Sequence, residues 1–289
     1  MNIQWYPGHM VKTKRQIEES LKVIDVVIEL LDARIPISSK NPDIDELIKN
    51  KPKVIILNKC TLADENVTRE WIKHFKNKGI LAIEVDSMSG KNINKVFPIV
   101  KESVKDKFER KIAKGIVGRP IRALVVGIPN VGKSSFINKI SNKSSAKTGD
   151  LPGVTRSKQW IKVNKEFELL DTPGILWPKF EDEKVALHLS YTKSIKEEIL
   201  DIEQLAVKFI DEMKQKFPKS LTERYKIDVT KPSIDILNDI GRKRGCIVSG
   251  GEVDTLRAAN ILFEDFRTAK LGKISLETPK DEIEVENEN

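Results

Sequence analysis

The chain has 289 residues, 39% hydrophobic and 33% charged, enough for one large domain or two ordinary ones with a sizeable core. Its longest apolar stretch, VIDVVIELL (23–31), is too short to span a bilayer, and MNIQWYPGHMVKTKRQ at the start has no signal-peptide core, so a cytoplasmic chain with no membrane role is expected. The net charge is +8, yet the last nine residues hold five acids and no base, so residues 1–280 carry 51 bases against 38 acids, which suits a polyanionic partner.

Taken in order, the chain begins with α/β signals. Apolar runs at 23–31, 53–58 (KVIILN), 80–85 (ILAIEV) and 121–127 (IRALVVG) lack polar alternation, as strands of a parallel sheet buried on both faces do. Helices are predicted over 66–78 and 91–110, and KIAKGIVGRP (111–120) is a connector. A further strand, EFELLD, leads into DTPG (171–174). After about residue 178 helical patterns take over. The last helix is predicted over 249–272, opened by Ser249 and Glu252 at capping-box spacing and closed at Gly272. Within it Val253, Leu256, Ala259, Leu262, Phe263 and Phe266 face inward, and Arg257, Arg267 and Lys270 face outward. The predicted organisation is an α/β domain over 1–178, a small all-α domain over 179–275 and an acidic, solvated tail over 276–289. Cys60 and Cys246 sit in unrelated contexts, so neither a disulfide framework nor a zinc site is expected.

GIPNVGKS (127–134) fits the phosphate-loop pattern, and it follows a strand and opens a helix as that mechanism requires. Gly127 and Gly132 let backbone N–H groups curl around phosphate oxygens. Lys133 supplies positive charge near the β- and γ-phosphates, and the Ser134 hydroxyl can reach Mg²⁺. The candidate nucleotide set here is Asn130, Val131, Gly132, Lys133, Ser134 and Ser135. Asp171 can join the magnesium shell, the Gly174 N–H can meet a γ-phosphate, and Thr155 in LPGVTRS (151–157) is a second Mg²⁺ and γ-phosphate sensor.

VIILNKCT (54–61) starts like the guanine-reading element N-K-x-D, but its fourth position is Thr61, and it precedes the phosphate loop instead of following it. DSMSGKNI (86–93) is similar to the second guanine-contacting loop. The base-reading candidates are therefore Asn58, Lys59, Ser87 and Met88. Two such elements, correctly ordered with each other but placed ahead of the phosphate loop, argue for circular permutation, with 111–120 as the join.

WYPGHM (5–10), LDARIP (31–36), GIPNVGKS, PGVTR (152–156), DTPGILWPKF (171–180) and GRKRGCIVSGG (241–251) together resemble the ribosome biogenesis GTPase A (RbgA/YlqF) family of circularly permuted GTPases, from residue 2 to about 275. The resemblance implies a permuted P-loop GTPase domain followed by a helical RNA-binding domain. It also implies GTP or GDP as ligand and a role late in assembly of the large (50S) ribosomal subunit, with the subunit precursor and its rRNA as partner. Thr61 departs from the family pattern. An aspartate would accept two charge-assisted hydrogen bonds from guanine, worth about 1.5–3 kcal/mol each, and a threonine replaces at most one. Weakened guanine selectivity follows as an expectation.

Ile175 stands after Gly174 where many GTPases place a water-orienting glutamine, so unassisted turnover is expected to be slow. The resemblance places His9 near the site when the ribosome is bound, where a neutral imidazole can position water. Catalytic candidates are therefore His9, Lys133, Thr155 and Gly174, with Asn130 offering a place for K⁺. His74 and His188 are expected as packing or surface residues. RNA contacts are assigned to Lys12, Lys14, Arg15, Arg242, Lys243 and Arg244. A monomeric, particle-activated enzyme is the favoured reading. The alternatives are a nucleotide-gated RNA-binding scaffold with incidental hydrolysis and a signalling module with a protein partner.

Overall fold

Val26–Asp32 (β1), VVIELLD, is buried along its whole length, and the buried acids just before it and at its middle must be neutralised there. Asp25, just before it, accepts from Arg119 Nη2 with both carboxylate oxygens (2.7 and 2.9 Å). Glu29 pairs with Lys53 at 3.0 Å. Arg119 lies at the end of the predicted join, so this ion pair fastens the connector to the sheet.

The computed structural model describes residues 15, 17–48, 51–113, 118–142, 159–172, 182–195 and 200–282. They fall into two units: Met1–Glu181 with Ser275–Asn289, and Asp182–Ile274.

In the first unit Lys53–Asn58 (β2), Leu81–Glu84 (β3), Ile121–Val126 (β4), Gln159–Lys162 (β5) and Phe167–Asp171 (β6) join β1 in one sheet of order β3-β2-β1-β4-β6-β5. All pairings are parallel except β5 with β6. Strands that precede the phosphate loop in sequence (β1 to β3) thus form half of the sheet whose other half is β4 to β6, as permutation requires. β5 was not predicted from sequence. Pro42–Ile48 (α1), Glu65–Asn77 (α2), Val96–Ser103 (α3), Lys105–Ala113 (α4) and Lys133–Ser141 (α5) accompany the strands. The helix predicted over 91–110 is three pieces: Asn92 adopts a left-handed conformation, a 3-10 turn covers Ile93–Lys95, and Val104 separates α3 from α4.

Two apolar clusters hold the sheet. Ile17, Ile24, Val27, Ile44, Leu124 and Leu170 form one; Leu31, Ile55, Leu57, Ala63, Trp71 and Phe75 form the other. Each fully buried side chain of this size contributes about 1.5–3 kcal/mol.

The segment after residue 275, expected as a solvated tail, returns to the first unit. The Leu276 N–H donates to Arg34 O (2.9 Å), and Trp71 Nε1 donates to Glu277 O (3.2 Å). The Glu277 carboxylate, 2% exposed, accepts from the Ile37 and Ser38 N–H groups (2.7 and 3.1 Å) and from the Ser38 hydroxyl. Glu282 meets His74 and lies 3.2 Å from Lys78. The acidic composition is satisfied locally by donors and cations, which is why 275–282 is folded. Residues 283–289 lie outside the described residues.

The second unit packs Glu183–Tyr191 (α6), Ile202–Lys216 (α7), Pro218–Tyr225 (α8), Ser233–Lys243 (α9) and Thr255–Arg267 (α10). Its core is aromatic, with Tyr191, Phe209, Phe263 and Phe266 rings 4.8–5.9 Å apart. His188, fully buried, meets Glu212 at 3.1 Å. The last helix begins later than predicted. Gly250 and Gly251 both have positive φ (99° and 84°) and turn the chain so that Ile247 bridges Val253; Asp254, not Ser249, caps the helix by accepting from Arg257 N. Leu256 is half exposed and Arg267 turns inward, donating to Tyr191 O at 2.8 Å over the Phe263 ring. Among the described residues no helix is long and apolar enough to cross a membrane.

Candidate nucleotide-binding site

The phosphate loop runs from β4 to α5 beneath residues of β1 and β2. At Gly127 a Cβ would lie 2.8 Å from Leu30 O, so no other residue fits against β1. Gly132 combines φ of 97° with a would-be Cβ 2.4 Å from Asn58 Nδ2, which leaves room only for glycine. That close approach brings the base-reading stretch against the loop. Asn58, ending β2, donates from Nδ2 to Val131 O (2.8 Å), and its Oδ1 accepts both the Ser87 N–H (3.1 Å) and hydroxyl (2.8 Å). One buried amide therefore joins all three loops.

Lys59, in a left-handed conformation (φ 59°), donates from Nζ to Asn130 O at 2.7 Å, and its ammonium lies 3.2 Å from Asp32 Oδ2. Asp32 in turn receives a fork from Arg34, Nε to Oδ1 at 2.9 Å and Nη2 to Oδ2 at 2.7 Å. Burial alone would raise the Asp32 carboxyl, but Arg34 and Lys59 outweigh it and hold it well below the usual range. The motif LDARIP thereby acquires a physical role that its sequence did not state: an anion at the end of β1 anchors the lysine that clasps the phosphate loop. Asp32 and Arg34 thus join the candidate site, although no local sequence signal marks them.

Lys133 and Asp171 form the charged floor. Burial pushes Lys133 down to about 8, with Asp171 opposing, and pushes Asp171 up to about 6, with Lys133 and the Thr172 N–H opposing. Both groups are thus poorly solvated, and an anion beside Lys133 with a cation beside Asp171 would restore their charges. Asp171 Oδ1 is buried without a hydrogen-bond partner among the described residues. An orphaned carboxylate oxygen, beside a loop that opens helix α5 with Ser134 and Ser135, fits a hard divalent cation such as Mg²⁺.

Asn130 has φ of 60° at the loop crest, Ser87 is buried and Met88 is 77% exposed. Thr61 is half-buried; burial raises the Asp86 carboxyl, but Ser89, Met88 and, least, Thr61 hold it below its usual range. Asp64 cannot stand in for the missing aspartate, because it caps α2 by accepting from Asn66 N and Val67 N. His9, Thr155 and Gly174 lie outside the described residues, as do Lys12, Lys14 and Ile175. Arg15, Arg242 and Lys243 are exposed, whereas Arg244 is partly buried over the Tyr225 ring and 3.5 Å from Asp265. Cys60 and Cys246 are free and buried.

A family model described as a 50S ribosome-binding GTPase matches residues 122–239. It begins at the phosphate-loop strand because the base-reading loops precede that strand here. The chain is 50% identical to the ribosome biogenesis GTPase A of Bacillus cereus over 97% of this chain and 95% of that protein. It is 31% identical to that of Thermotoga maritima, covering 99% and 98%. A GDP-bound YlqF structure superposes with a TM-score of 0.68 at 27% identity, over 92% of this chain and 100% of that one. The GNP-bound YlqF from T. maritima gives 0.65 at 27% identity, over 93% and 98%. Fold and site together define a circularly permuted GTPase, an enzyme that hydrolyses GTP. The chain belongs to the ribosome biogenesis GTPase A family.

Proposed function

We propose that this GTPase is an assembly factor for the large (50S) ribosomal subunit. It binds the subunit precursor and its rRNA late in maturation as a cytoplasmic monomer, hydrolyses GTP when the particle engages it, and then leaves. The observation that carries the reading is the stitched site. Asn58 and Lys59 hold Val131 O and Asn130 O, so the base-reading and phosphate loops act as one nucleotide site despite their permuted order. The excess of bases over acids and the exposed Arg242 and Lys243 support an RNA partner.

In this reading Lys133 balances charge on the β- and γ-phosphates, and the Gly174 N–H meets the γ-phosphate. Ser134, Thr155 and Asp171 would hold magnesium, which when bound neutralises charge across the phosphates. Asn130 offers K⁺ an oxygen ligand. His9 positions the attacking water or takes its proton, a role worth about 10²–10⁴-fold. The γ-phosphate orders the segments around Thr155 and after Asp171, and hydrolysis releases them, which sets when the RNA-binding unit lets go.

A second reading is favoured by one specific observation: Thr61 offers a hydroxyl, not a carboxylate, to the base. A scaffold gated by nucleotide, with incidental hydrolysis, would tolerate that. The rate of GTP turnover with and without purified large-subunit precursor, in KCl and in NaCl, separates the two. Particle stimulation of about 10²-fold or more, lost in His9→Ala, is the expected result; an unstimulated rate would leave the scaffold.

A further inference from the structure

Ser275, Leu276 and Glu277, all buried, bond to the two loops that carry the Asp32–Lys59 ion pair. The Ser275 hydroxyl oxygen accepts the Asp64 N–H at 3.1 Å, where the loop that starts at Lys59 ends and α2 begins. The Leu276 N–H donates to Arg34 O at 2.9 Å. The Glu277 carboxylate accepts the N–H groups of Ile37 (2.7 Å) and Ser38 (3.1 Å) together with the Ser38 hydroxyl. Ser275 follows directly on Ile274, the last residue of the helical unit, so this strap is the chain as it returns from that unit.

The loop that Glu277 caps is the one that presents Asp32 and Arg34, and it closes on itself. The Asp32 N–H donates to Ser39 Oγ at 3.0 Å, the Ile35 N–H to Asp32 O at 3.0 Å and the Ser39 N–H to Ile35 O at 2.9 Å. At the strand ends this loop meets the Lys59 loop directly, Ala33 N–H to Asn58 O at 2.9 Å; further out, the strap bridges the two. Between them Asp32 Oδ2 lies 3.2 Å from Lys59 Nζ, which donates to Asn130 O at 2.7 Å. Two side chains keep such a pose only while the backbones beneath them are fixed. Without the Glu277 acceptor, the buried Ser38 N–H and its neighbour at Ile37 must turn towards water, and Arg34 and Asp32 move with them.

We propose that Ser275 and Glu277 are positioning residues of the nucleotide site. They hold the loops of Asp32 and Lys59 in the register at which Lys59 clasps the phosphate loop, and so set nucleotide affinity from outside the site. The strap acts through Lys59 and touches neither phosphate nor base. The proposal rests on the reading of Lys59 and Asn130 as parts of the nucleotide site. It gives the chain returning from the helical unit a bonded path to the phosphate loop, through Glu277, the 32–39 loop, Asp32 and Lys59.

The test is a double-mutant cycle: calorimetric titration of the full chain with GDP and Mg²⁺, at a temperature where every variant is folded. The proteins are the wild type, Glu277→Ala, Glu277→Gln, Lys59→Met and Glu277→Ala/Lys59→Met. Glu277→Ala should weaken GDP about three- to tenfold. In the Lys59→Met background the same substitution should change affinity by less than about twofold, because the residue through which it acts is gone. Glu277→Gln keeps an acceptor oxygen for the two N–H groups and should bind GDP within about twofold of the wild type. Should Glu277→Ala fail to fold, Ser275→Ala, which removes the acceptor of the Asp64 N–H, runs through the same cycle with the same expected coupling. Unchanged affinity in Glu277→Ala, an equal loss with and without Lys59, or no recovery in Glu277→Gln overturns the proposal and leaves the site reading standing. A Lys59→Met protein that binds GDP as the wild type does overturns both.

Discussion

Lys59 Nζ reaches the carbonyl of Asn130 at 2.7 Å, so a residue of the first base-reading loop fixes the crest of a phosphate loop 71 positions further along the chain. Its ammonium is in turn held 3.2 Å from Asp32. The resulting chain of contacts, Arg34 to Asp32 to Lys59 to Asn130, couples β1 to the phosphate loop.

Lys59→Met should weaken GDP binding about ten- to a hundredfold, because one charge-assisted hydrogen bond worth about 1.5–3 kcal/mol is lost while the fold is kept. Asp32→Ala should act on stability instead. It leaves Arg34, 2% exposed, without its counter-ion, at a cost of about 3–5 kcal/mol. Calorimetric titration and urea melts check the pair. A stable, fully binding Asp32→Ala protein would contradict the coupling.

Gly132→Ala should abolish nucleotide binding with little loss of overall stability. The new methyl would lie 2.4 Å from Asn58 Nδ2, and the left-handed backbone at φ 97° costs about 1–2 kcal/mol for any residue with a Cβ. Asn58 must then release Val131 O or Ser87. Unchanged GDP affinity alongside an unchanged melting temperature would show that the loop relaxes freely.

Glu277→Ala should lower stability by about 2–4 kcal/mol, since the buried N–H groups of Ile37 and Ser38 lose a charged acceptor. For a chain of this size each kcal/mol corresponds to about 2–4 °C in melting temperature. Calorimetric melting of this variant, and of the chain ended after residue 274, measures how much 275–282 contributes. A melting temperature within 1–2 °C of the wild type, a shift worth only about 0.5 kcal/mol, would mean that the segment merely lies on the surface.

Several of these contacts were not visible in the sequence, and the reasons differ. Strands β1, β2 and β4 were legible because a strand buried on both faces is written as an unbroken apolar run; β3, at the sheet edge and only half-buried, keeps an apolar run as well. The phosphate loop was legible because its mechanism needs neighbouring residues. The edge strand β5, QWIK, buries only Ile161 and is too short to show alternation. The capping pattern at Ser249 was overridden by Gly250 and Gly251, whose positive φ favours a hairpin turn. Asp32 and Glu277 matter through partners on other elements, Lys59 for Asp32 and, 239 positions away, Ser38 for Glu277, and no local pattern encodes such a pairing.

Acid should loosen the helical unit through Glu212. Burial raises its carboxyl, but His188 and Lys216 outweigh burial and hold it at about 2 against an ordinary 4.5. The unfolded chain therefore takes up the proton first as pH falls. The contribution, up to about 3 kcal/mol, is fully present above about pH 4.5 and is lost progressively from there towards pH 2. Urea melts at pH 7, 4 and 3 should show this slope in the wild type and a flatter one in Glu212→Gln. Parallel slopes would remove Glu212 from the acid response.

The central claim is that two base-reading loops ahead of the phosphate loop and the loop itself make one guanine-nucleotide site. Calorimetric titration of the full chain with GDP, a non-hydrolysable GTP analogue and a non-hydrolysable ATP analogue, each with and without Mg²⁺, tests it most directly. The account predicts that the guanine nucleotides bind about tenfold or more tighter than the adenine one, with the GTP analogue depending on Mg²⁺. Equal affinities for guanine and adenine nucleotides would contradict it, leaving residues 58–61 and 86–88 as structural braces of the phosphate loop.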